Sequence, residues 1–581
     1  MKIKQYYSWM VAAAMAVATP FLAACSSEEN LAPSRGVAVT DAHIVINVEP
    51  YGATPSAAKS RAAEAPAVTK PDTVLLDNGM RAVVSMEEDA PETQAATRAA
   101  MDDGHYTIFA LDPATGDRIT GPDTQLTGTV TGGVFQSDAG SKMILDPGTY
   151  KFVCINDAVT DHGTWLEVST GVSNNGYGSA AGTIPSASDA QIGTSTETIN
   201  GDDWQVTFAM KHQNARIRLR LVAYTNQLEN AVGALTGSLA EYPTAIKYAL
   251  DGSTPVVTEK TLPYDYAIAK LTLSNTPAES NTTYVRAHNF YSNYMYVLPE
   301  GEQIALWLGE GKVYGKSFNL ASPTKLTDKS LPSKFQRNHS YTITYRLLPE
   351  ALYLFQDGSC GALAEKGSRK VIGVVAKEKT NSEDGTAAAI SQVKGGTVTY
   401  AMGISNTTLD NQFQTTVARV NGWEQYADAY QHDDGYKNTW DVSHDGVTIK
   451  ANEQTRYPAY YAAAHYGDEL AAQGITLTGD MASRKWFLPS VKEWLDLFGG
   501  ITTLPGSGTG IGVGNRTFDY GAAMTAAGGT YKQGGWYTFA TSSEMDAGHY
   551  LGFYANYNAK IFNCPFPEKT DLTTVHPFIH F

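Results

Sequence analysis

Two runs decide the fold: Trp204-Gln205-Val206-Thr207-Phe208-Ala209-Met210 and, shortly after, Ala215-Arg216-Ile217-Arg218-Leu219-Arg220-Leu221. In both, apolar and polar residues alternate with period two, the pattern of a strand with one buried face. The second run puts Arg216, Arg218 and Arg220 on one face, which is expected to be solvated rather than to hold an anion. Working outward, Tyr106-Thr107-Ile108-Phe109-Ala110-Leu111 reads as a strand that stops at the turn Asp112-Pro113-Ala114-Thr115-Gly116. Leu145-Asp146-Pro147-Gly148 turns into the strand Thr149-Tyr150-Lys151-Phe152-Val153, and Tyr294 to Leu298, Ile304 to Leu308 and Tyr341 to Leu347 continue the series. Short strands between Gly, Pro, Asn and Ser point to β-sandwich modules.

The 581 residues carry 43 basic and 59 acidic side chains, a net charge of −16, and no basic tract. That balance disfavours nucleic acid and anionic lipid as partners. Met1-Lys2-Ile3-Lys4, an apolar run from Trp9 to Phe21 and Leu22-Ala23-Ala24-Cys25 read as a lipoprotein signal peptide, with Cys25 as the acylated residue. Stable anchoring of the mature chain in a membrane then takes more than one acyl chain. Ser26-Ser27-Glu28-Glu29-Asn30 resembles the acidic surface-export tag of Bacteroidetes lipoproteins. After Cys25 three cysteines remain, so one must stay unpaired within a monomer. Cys154 reads as a buried free thiol in an apolar strand, and a Cys360–Cys564 pairing is left open.

Residues 25–104 are rich in Ala, Pro, Ser and acidic residues and read as a lipid-anchored stalk and proteolytically removable segment. Two strand-like islands interrupt it, His43 to Val48 and Met80 to Met86. Ser56 to Ala63 and Glu92 to Ala100 are soft stretches suited to proteolysis.

Tyr106 to Leu111, Asp146 to Asn156, Phe208-Ala209-Met210-Lys211-His212-Gln213-Asn214-Ala215-Arg216-Ile217 and Phe335-Gln336-Arg337-Asn338-His339-Ser340-Tyr341-Thr342-Ile343-Thr344 resemble the fimbrillin proteins of Bacteroidetes. The resemblance covers about residues 100 to 350. It implies two tandem Greek-key β-sandwich domains, expected at 105–225 and 226–350, and assembly of a surface lipoprotein into type V pili. In that pathway an Arg-specific protease removes an N-terminal segment and a neighbouring subunit donates a strand to the groove left behind. Arg61 and Arg98, each followed by Ala, match such a site; Arg81 also precedes Ala but lies in a strand-like stretch.

Beyond Leu348 the texture changes. Ser490-Val491-Lys492-Glu493 has Ser at an N-cap position and Glu three later, and Val491, Trp494, Leu495 and Phe498 share one helical face before Gly499-Gly500. Trp486-Phe487-Leu488-Pro489-Ser490, Trp536 to Glu544 and Val575-His576-Pro577-Phe578-Ile579 resemble the C-terminal domain of Legionella collagen-like adhesins and related domains of Bacteroidetes and Fibrobacter surface proteins. That resemblance implies an α+β, C-type-lectin-like domain at 351–581, with His576 where the family usually has Arg. Aromatic residues that could meet a ligand are Trp423, Trp440, Trp536, Tyr554 and Tyr557, with Tyr460 and Tyr461 beside them. The lectin calcium tripeptides Glu-Pro-Asn and Gln-Pro-Asp are absent. His432-Asp433-Asp434-Gly435 and His444-Asp445-Gly446 form a near-repeat better read as turns than as a metal site. No nucleophile elbow, His-Glu-x-x-His or P-loop occurs, and the glycine ladder from Gly506 to Gly514 reads as a loop.

The expectation is a mainly β chain: signal peptide 1–24, removable stalk, two tandem β-sandwich domains and a lectin-like adhesion domain, with no cofactor and no metal. Its role is expected to be a pilus subunit at the fimbrium tip, on the outer membrane surface before assembly. Its expected partners are other fimbrial subunits, a host or bacterial surface glycan or protein, and the outer membrane through its lipid anchor. The alternatives are an outer-membrane lipoprotein that binds glycan or matrix without polymerising, and an enzyme in the last domain.

Overall fold

In the computed structural model the described residues are 36–52, 72–76, 80–90, 103–169, 188–200, 204–237, 242–261, 267–299, 304–308, 311–318, 335–411, 418–420, 423–425, 433–497, 501–503, 511–513, 520–532, 537–555, 561–562 and 567–581. The chain is mainly β. Among the described residues as far as 223 the strands are β1 Val37–Val39, β2 Ile44–Val48, β3 Asp72–Leu75, β4 Arg81–Glu88, β5 Gly104–Leu111, β6 Thr124–Thr131, β7 Val134–Ser137, β8 Lys142–Leu145, β9 Gly148–Asn156, β10 Thr160–Asp161, β11 Leu166–Ser169, β12 Gln191–Ile199, β13 Val206–His212 and β14 Ala215–Ala223.

The first unit is built on a sheet ordered β1-β8-β6-β5-β9-β12-β13-β2, with β7 beside β6. Its two ends are β1 and β2, which are consecutive in the chain. The few residues between them reach at most roughly 18 Å, so the sheet must curl until its ends meet. The curl encloses Ile44, Ile46, Val48, Tyr106, Ile108, Phe152, Cys154, Phe208 and Met210. Phe109, Leu111, Val153 and Ile155 point the other way and meet Leu166, Val168, Ile246 and Tyr248 of a second sheet. Both faces of β5 and β9 are therefore covered, which explains the unbroken apolar run Phe152-Val153-Cys154-Ile155.

That second sheet joins β10 and β11 to the strands Tyr242–Tyr248 and Val256–Thr261. Meanwhile β14 belongs to the next unit, in a sheet ordered Glu279–Ser280, His288–Tyr291, β14, Ser340–Leu348, β4, β3. The chain thus crosses between the units more than once, and the single boundary expected at 225/226 is replaced by an interleaved one. Turn composition marks where strands stop; it carries no record of which sheet the next strand joins. The expected stalk is also revised. Both strand-like islands of residues 25–104 are strands of these sheets, β2 in the first and β4 in the second.

After residue 350 a sheet ordered Cys360–Gly361, Tyr353–Phe355, Val371–Lys377, Thr386–Ala389, Phe578–His580, Trp486–Phe487 forms the centre of a third unit. The helix Val491–Leu497 covers one face through Val491, Trp494, Leu495 and Leu497. Ser490 and Glu493 form the expected reciprocal cap: Ser490 Oγ accepts from Lys492 N at 3.1 Å, and Glu493 Oε2 accepts from Ser490 N at 2.6 Å. The other face, with Leu354, Ile372, Val375 and Ile579, meets Tyr457, Tyr460 and Tyr466 in a core continuous with that of the second unit. Among the described residues Cys154 and Cys360 are free buried thiols; Cys564, the partner of the pairing left open, lies outside the described residues.

Candidate functional site

The feature that sets this fold apart is the path of its N-terminal strands. β2 runs parallel to β13, with Val206 opposite Ile44 and Met210 opposite Val48. Ile44, Ile46 and Val48 are buried while Val45 and Asn47 are half-buried, so one face of the strand is committed to the core. β4 lies between β3 and the strand Ser340–Leu348, pairing antiparallel with the latter from Tyr341 opposite Glu88 to Leu348 opposite Arg81. Its Ala82, Val84 and Met86 are 0%, 0% and 2% exposed. Removing β2 or β4 would open an apolar groove beside a row of unpaired backbone groups.

Both strands end at the joint between the sandwiches. The joint is made where β13 passes into β14 through Gln213 and Asn214 alone. Asn338 sits in left-handed backbone at φ 63°, a conformation Asn tolerates better than most residues. Its carbonyl accepts from Gly52 N at 2.7 Å, and its own N–H donates to Asn214 O at 3.0 Å. Arg337 donates to Gln213 Oε1 and to Gly252 O, each at 3.1 Å. Tyr51, just past β2, stacks on His212 at 3.8 Å and donates its hydroxyl to Asp189 Oδ1 at 2.9 Å. Burial, then Asp189, pushes the phenol's pKa far up, so it remains a donor. Past β4, Asp89 accepts from the hydroxyls of Ser340 at 2.6 Å, Thr342 at 2.5 Å and Tyr294 at 2.9 Å.

The arginine face of β14 is a correction to the solvated face expected. Arg216, Arg218 and Arg220 each donate Nε at 3.0 Å to the hydroxyl opposite, on Ser340, Thr342 and Thr344. Arg216 lies over the rings of Tyr51 and Tyr294, both at 4.2 Å, and Arg218 over Tyr291 at 4.5 Å. Alternation showed which side these arginines take and could not show that tyrosines cover them.

The second and third units are also fastened together. Tyr224 donates to Glu378 Oε1 at 2.6 Å, Arg346 pairs with Glu378, and Thr225 donates to Glu365 Oε1 at 3.0 Å. Backbone bonds from Val285 N to Lys379 O and from Asn381 N to Thr283 O, both 3.1 Å, add to this.

Of the residues singled out from the sequence, Cys25, Arg61, Arg98, Trp536 and Tyr557 lie outside the described residues. Trp423 and Tyr554 fall in the short strands Trp423–Gln425 and Phe553–Ala555, their side chains outside the description. Trp440, half-buried, donates Nε1 to Trp486 O at 2.8 Å with Lys485 Nζ 4.2 Å above its ring. Tyr460 is buried, and Tyr461 stacks on His465 at 3.9 Å. In the near-repeat, Asp434 caps the helix Gly435–Trp440 and Asp445 closes a turn by accepting from Val447 N and Thr448 N. His576 is buried, its pKa lowered to about 4 by desolvation, with Nε2 2.6 Å from Ala389 O. The joint residues Tyr51, Asp89 and Asp189 were not singled out. His212-Gln213-Asn214 and Arg337-Asn338-His339 entered only through the family resemblance, and their signal was polar residues crowded between two strand patterns.

The architecture defines a class: a mainly β chain of two interleaved sheet units, threaded by one N-terminal segment and followed by a sheet-and-helix module. No family model matches the chain, and no curated protein sequence matches it. Among solved structures it is similar to a fimbrial protein from Bacteroides ovatus, at 10% identity and a TM-score of 0.22 over 94% of this chain and 100% of that one. It is also similar to a fimbrial protein from Bacteroides vulgatus, at 14% identity and a TM-score of 0.26 over 42% of this chain and 88% of that one. A third similarity is to a protein assigned to cell adhesion in Bacteroides uniformis, at 14% identity and a TM-score of 0.29 over 43% and 93%. Superpositions at these scores carry no functional argument, so the functional reading rests on the chain's own strands.

Proposed function

We propose that this chain is a surface-exported fimbrial subunit of the adhesin type, lipidated at Cys25 and held on the outer membrane until an Arg-specific cut frees its N-terminal segment. The observation that carries this reading is that β1 to β4, all upstream of Arg98, fill strand positions in both sandwiches. A strand from another subunit could take those positions once they are vacated. The two candidate arginines then have different consequences. A cut at Arg61 detaches β1 and β2 and opens the first sandwich only, whereas a cut at Arg98 detaches β1 to β4 and opens both.

The proposed position is the tip, and the last module supports it. Phe578–His580 lies between Thr386–Ala389 and Trp486–Phe487, with Phe578 and Ile579 fully buried. A strand held inside a sheet is a poor donor, which supports a subunit that accepts a strand rather than one that gives it. Residues 351–581, lectin-like by resemblance, are the part assigned to contact with a surface glycan or protein, with Trp423, Trp440, Trp536, Tyr554 and Tyr557 the aromatic candidates.

One observation favours a second reading, a lipid-anchored binding protein that never polymerises. Tyr51, Glu88 and Asp89 knot the joint, with His339 Nδ1 2.6 Å from Glu88 Oε1, so the uncleaved chain is already a complete fold. Treating the purified protein with an Arg-specific protease, sequencing the new N-terminus and adding a donor-strand peptide separates the two. A cut at Arg61 or Arg98 followed by peptide capture supports the subunit; an uncut chain, or a cut chain that captures nothing, sinks it. Immunogold labelling of residues 353 to 581 on cells then tests the tip, which requires gold at filament ends rather than over the membrane.

A further inference from the structure

The third unit contains a cluster that the proposed function does not use. Lys569, Asp410 and Glu544 are 4%, 8% and 3% exposed. Lys569 Nζ lies 3.0 Å from Asp410 Oδ2, contacts Glu544 Oε1 directly and donates to Thr408 O at 2.7 Å. Asp410 Oδ1 accepts the Tyr457 hydroxyl at 2.5 Å. Glu544 is held differently, by backbone N–H groups: Asp410 N reaches its Oε1 and Oε2 at 2.9 and 3.1 Å, and Asn411 N reaches Oε2 at 2.5 Å. Tyr457 and Tyr460 wall the site, and Lys450 Nζ donates to Asp410 O at 2.8 Å.

A buried ion pair explains part of this arrangement but is a poor reason for it, because desolvating two charges cancels much of their attraction. An amine and a carboxyl group locked at contact distance in a dry site have another outcome open to them. Reacting atoms held roughly 3–3.5 Å apart gain a large effective concentration, and a site closed to water favours the loss of water. The hydrogen bonds also divide the labour between the two acids. Glu544, fixed by two amides as an acceptor, suits a proton carrier, and Asp410, facing the amine with one oxygen on a phenol, suits the electrophile.

We propose that Lys569 and Asp410 condense to an intramolecular amide, with Glu544 carrying the proton. Moving one proton from the ammonium to the Asp410 carboxylate gives a neutral pair without changing the charge of the site. The Nζ lone pair adds to Cγ of Asp410, and the growing charge on Oδ1 is met by the Tyr457 hydroxyl. Glu544 takes a proton from Nζ and delivers it to Oδ2, which leaves as water. One N–C bond forms, one C–O bond breaks, one water departs, and no oxidant, reductant or cofactor is required. Tyr457 is suited to its part because burial, then its bond to Asp410, raises its pKa and keeps the phenol protonated.

The backbone already holds the two loops in register. Gly403 N donates to Lys569 O at 3.0 Å, and Tyr400 and Thr573 exchange bonds of 2.8 and 3.0 Å. The amide would close a covalent ring between positions 159 apart in sequence. It would also replace two buried charges by one neutral group.

The test is a peptide map of the full-length protein purified from its cells, denatured and digested with trypsin. The expected product is one branched peptide in which the segments containing Asp410 and Lys569 are joined with the loss of one water, and no cleavage after Lys569. Separate unmodified peptides, with cleavage after Lys569, would overturn the proposal, and this reading needs no variant to fold. Glu544→Gln is expected to abolish the branched peptide while far-UV circular dichroism stays that of the parent. A branched peptide formed as fully in Glu544→Gln as in the parent overturns the assignment of Glu544.

Discussion

β4 and the strand Phe578–His580 hold equivalent places, each paired on both sides within its sheet and each with fully buried side chains. They differ in what surrounds them in sequence. β4 comes from a segment rich in Ala, Pro and Ser with an arginine–alanine pair on either side, at Arg61 and Arg98, whereas Phe578–His580 follows Val575-His576-Pro577 within the core of its own module. The same backbone role is thus filled once by a strand that one cut could separate from its sheets and once by a strand with no such handle. That contrast, more than any single residue, is the basis for reading the sandwiches as an assembly site and the last module as a fixed head.

The comparison breaks most sharply if a charge is buried in each sandwich. Val84→Asp and Ile46→Asp each place an unpaired carboxylate in a closed core, with an expected loss above about 4 kcal/mol. Because Val84 shares its core with Leu354 and Ile579, Val84→Asp is expected to lower the melting of the second and third units together. Ile46→Asp acts on a separate cluster and is expected to lower the first unit alone. Differential scanning calorimetry reads both, and equal losses in all units for both variants would contradict the division. Next in size is Trp494→Ala, which empties a fully buried site beneath the sheet at an expected cost of about 3–5 kcal/mol, measured by denaturant unfolding.

The third prediction uses pH. Burial pushes the pKa of the Glu493 carboxyl from 4.5 up to about 7. Between those values the folded chain keeps a proton that the unfolded chain releases, so the stability this group supplies is full below about pH 4.5 and is lost as pH rises through about 7. Glu493→Gln keeps the acceptor for Ser490 N and is expected to remove a pH dependence on the order of 3 kcal/mol. Parallel urea curves for parent and variant across that range, with a constant difference between them, would refute it. The smallest effect is expected at the joint: Asp89→Ala leaves three hydroxyls without their acceptor and costs about 1–3 kcal/mol in thermal unfolding.

Local structure was legible wherever burial is one-sided. The alternation of β13 and β14, the strand β5 with its turn at Asp112, and the Ser490–Glu493 cap all appear where residue spacing placed them. What spacing cannot carry is partnership at long range. His43 to Val48 and Met80 to Met86 were strand-like in sequence, yet nothing local says that β2 lies against residues 206–210 or β4 against 341–348. The tyrosines over the arginines and the carboxyl of Asp89 between three hydroxyls are meetings of distant segments, and so is the Lys569 cluster. The joint left only a trace, a run of polar residues at 212–214 that interrupts two strand patterns without the Gly or Pro of an ordinary turn.

That interruption has a mechanical meaning. β13 and β14 are nearly one extended segment, and β14 lies parallel to Ser340–Leu348 over seven paired positions from Arg216 to Val222. Tension drawn along this line would load those rungs in shear, all at once, instead of peeling them apart one after another. A seam loaded in this way fails only as a whole, so its strength is that of all its rungs together and not of the weakest.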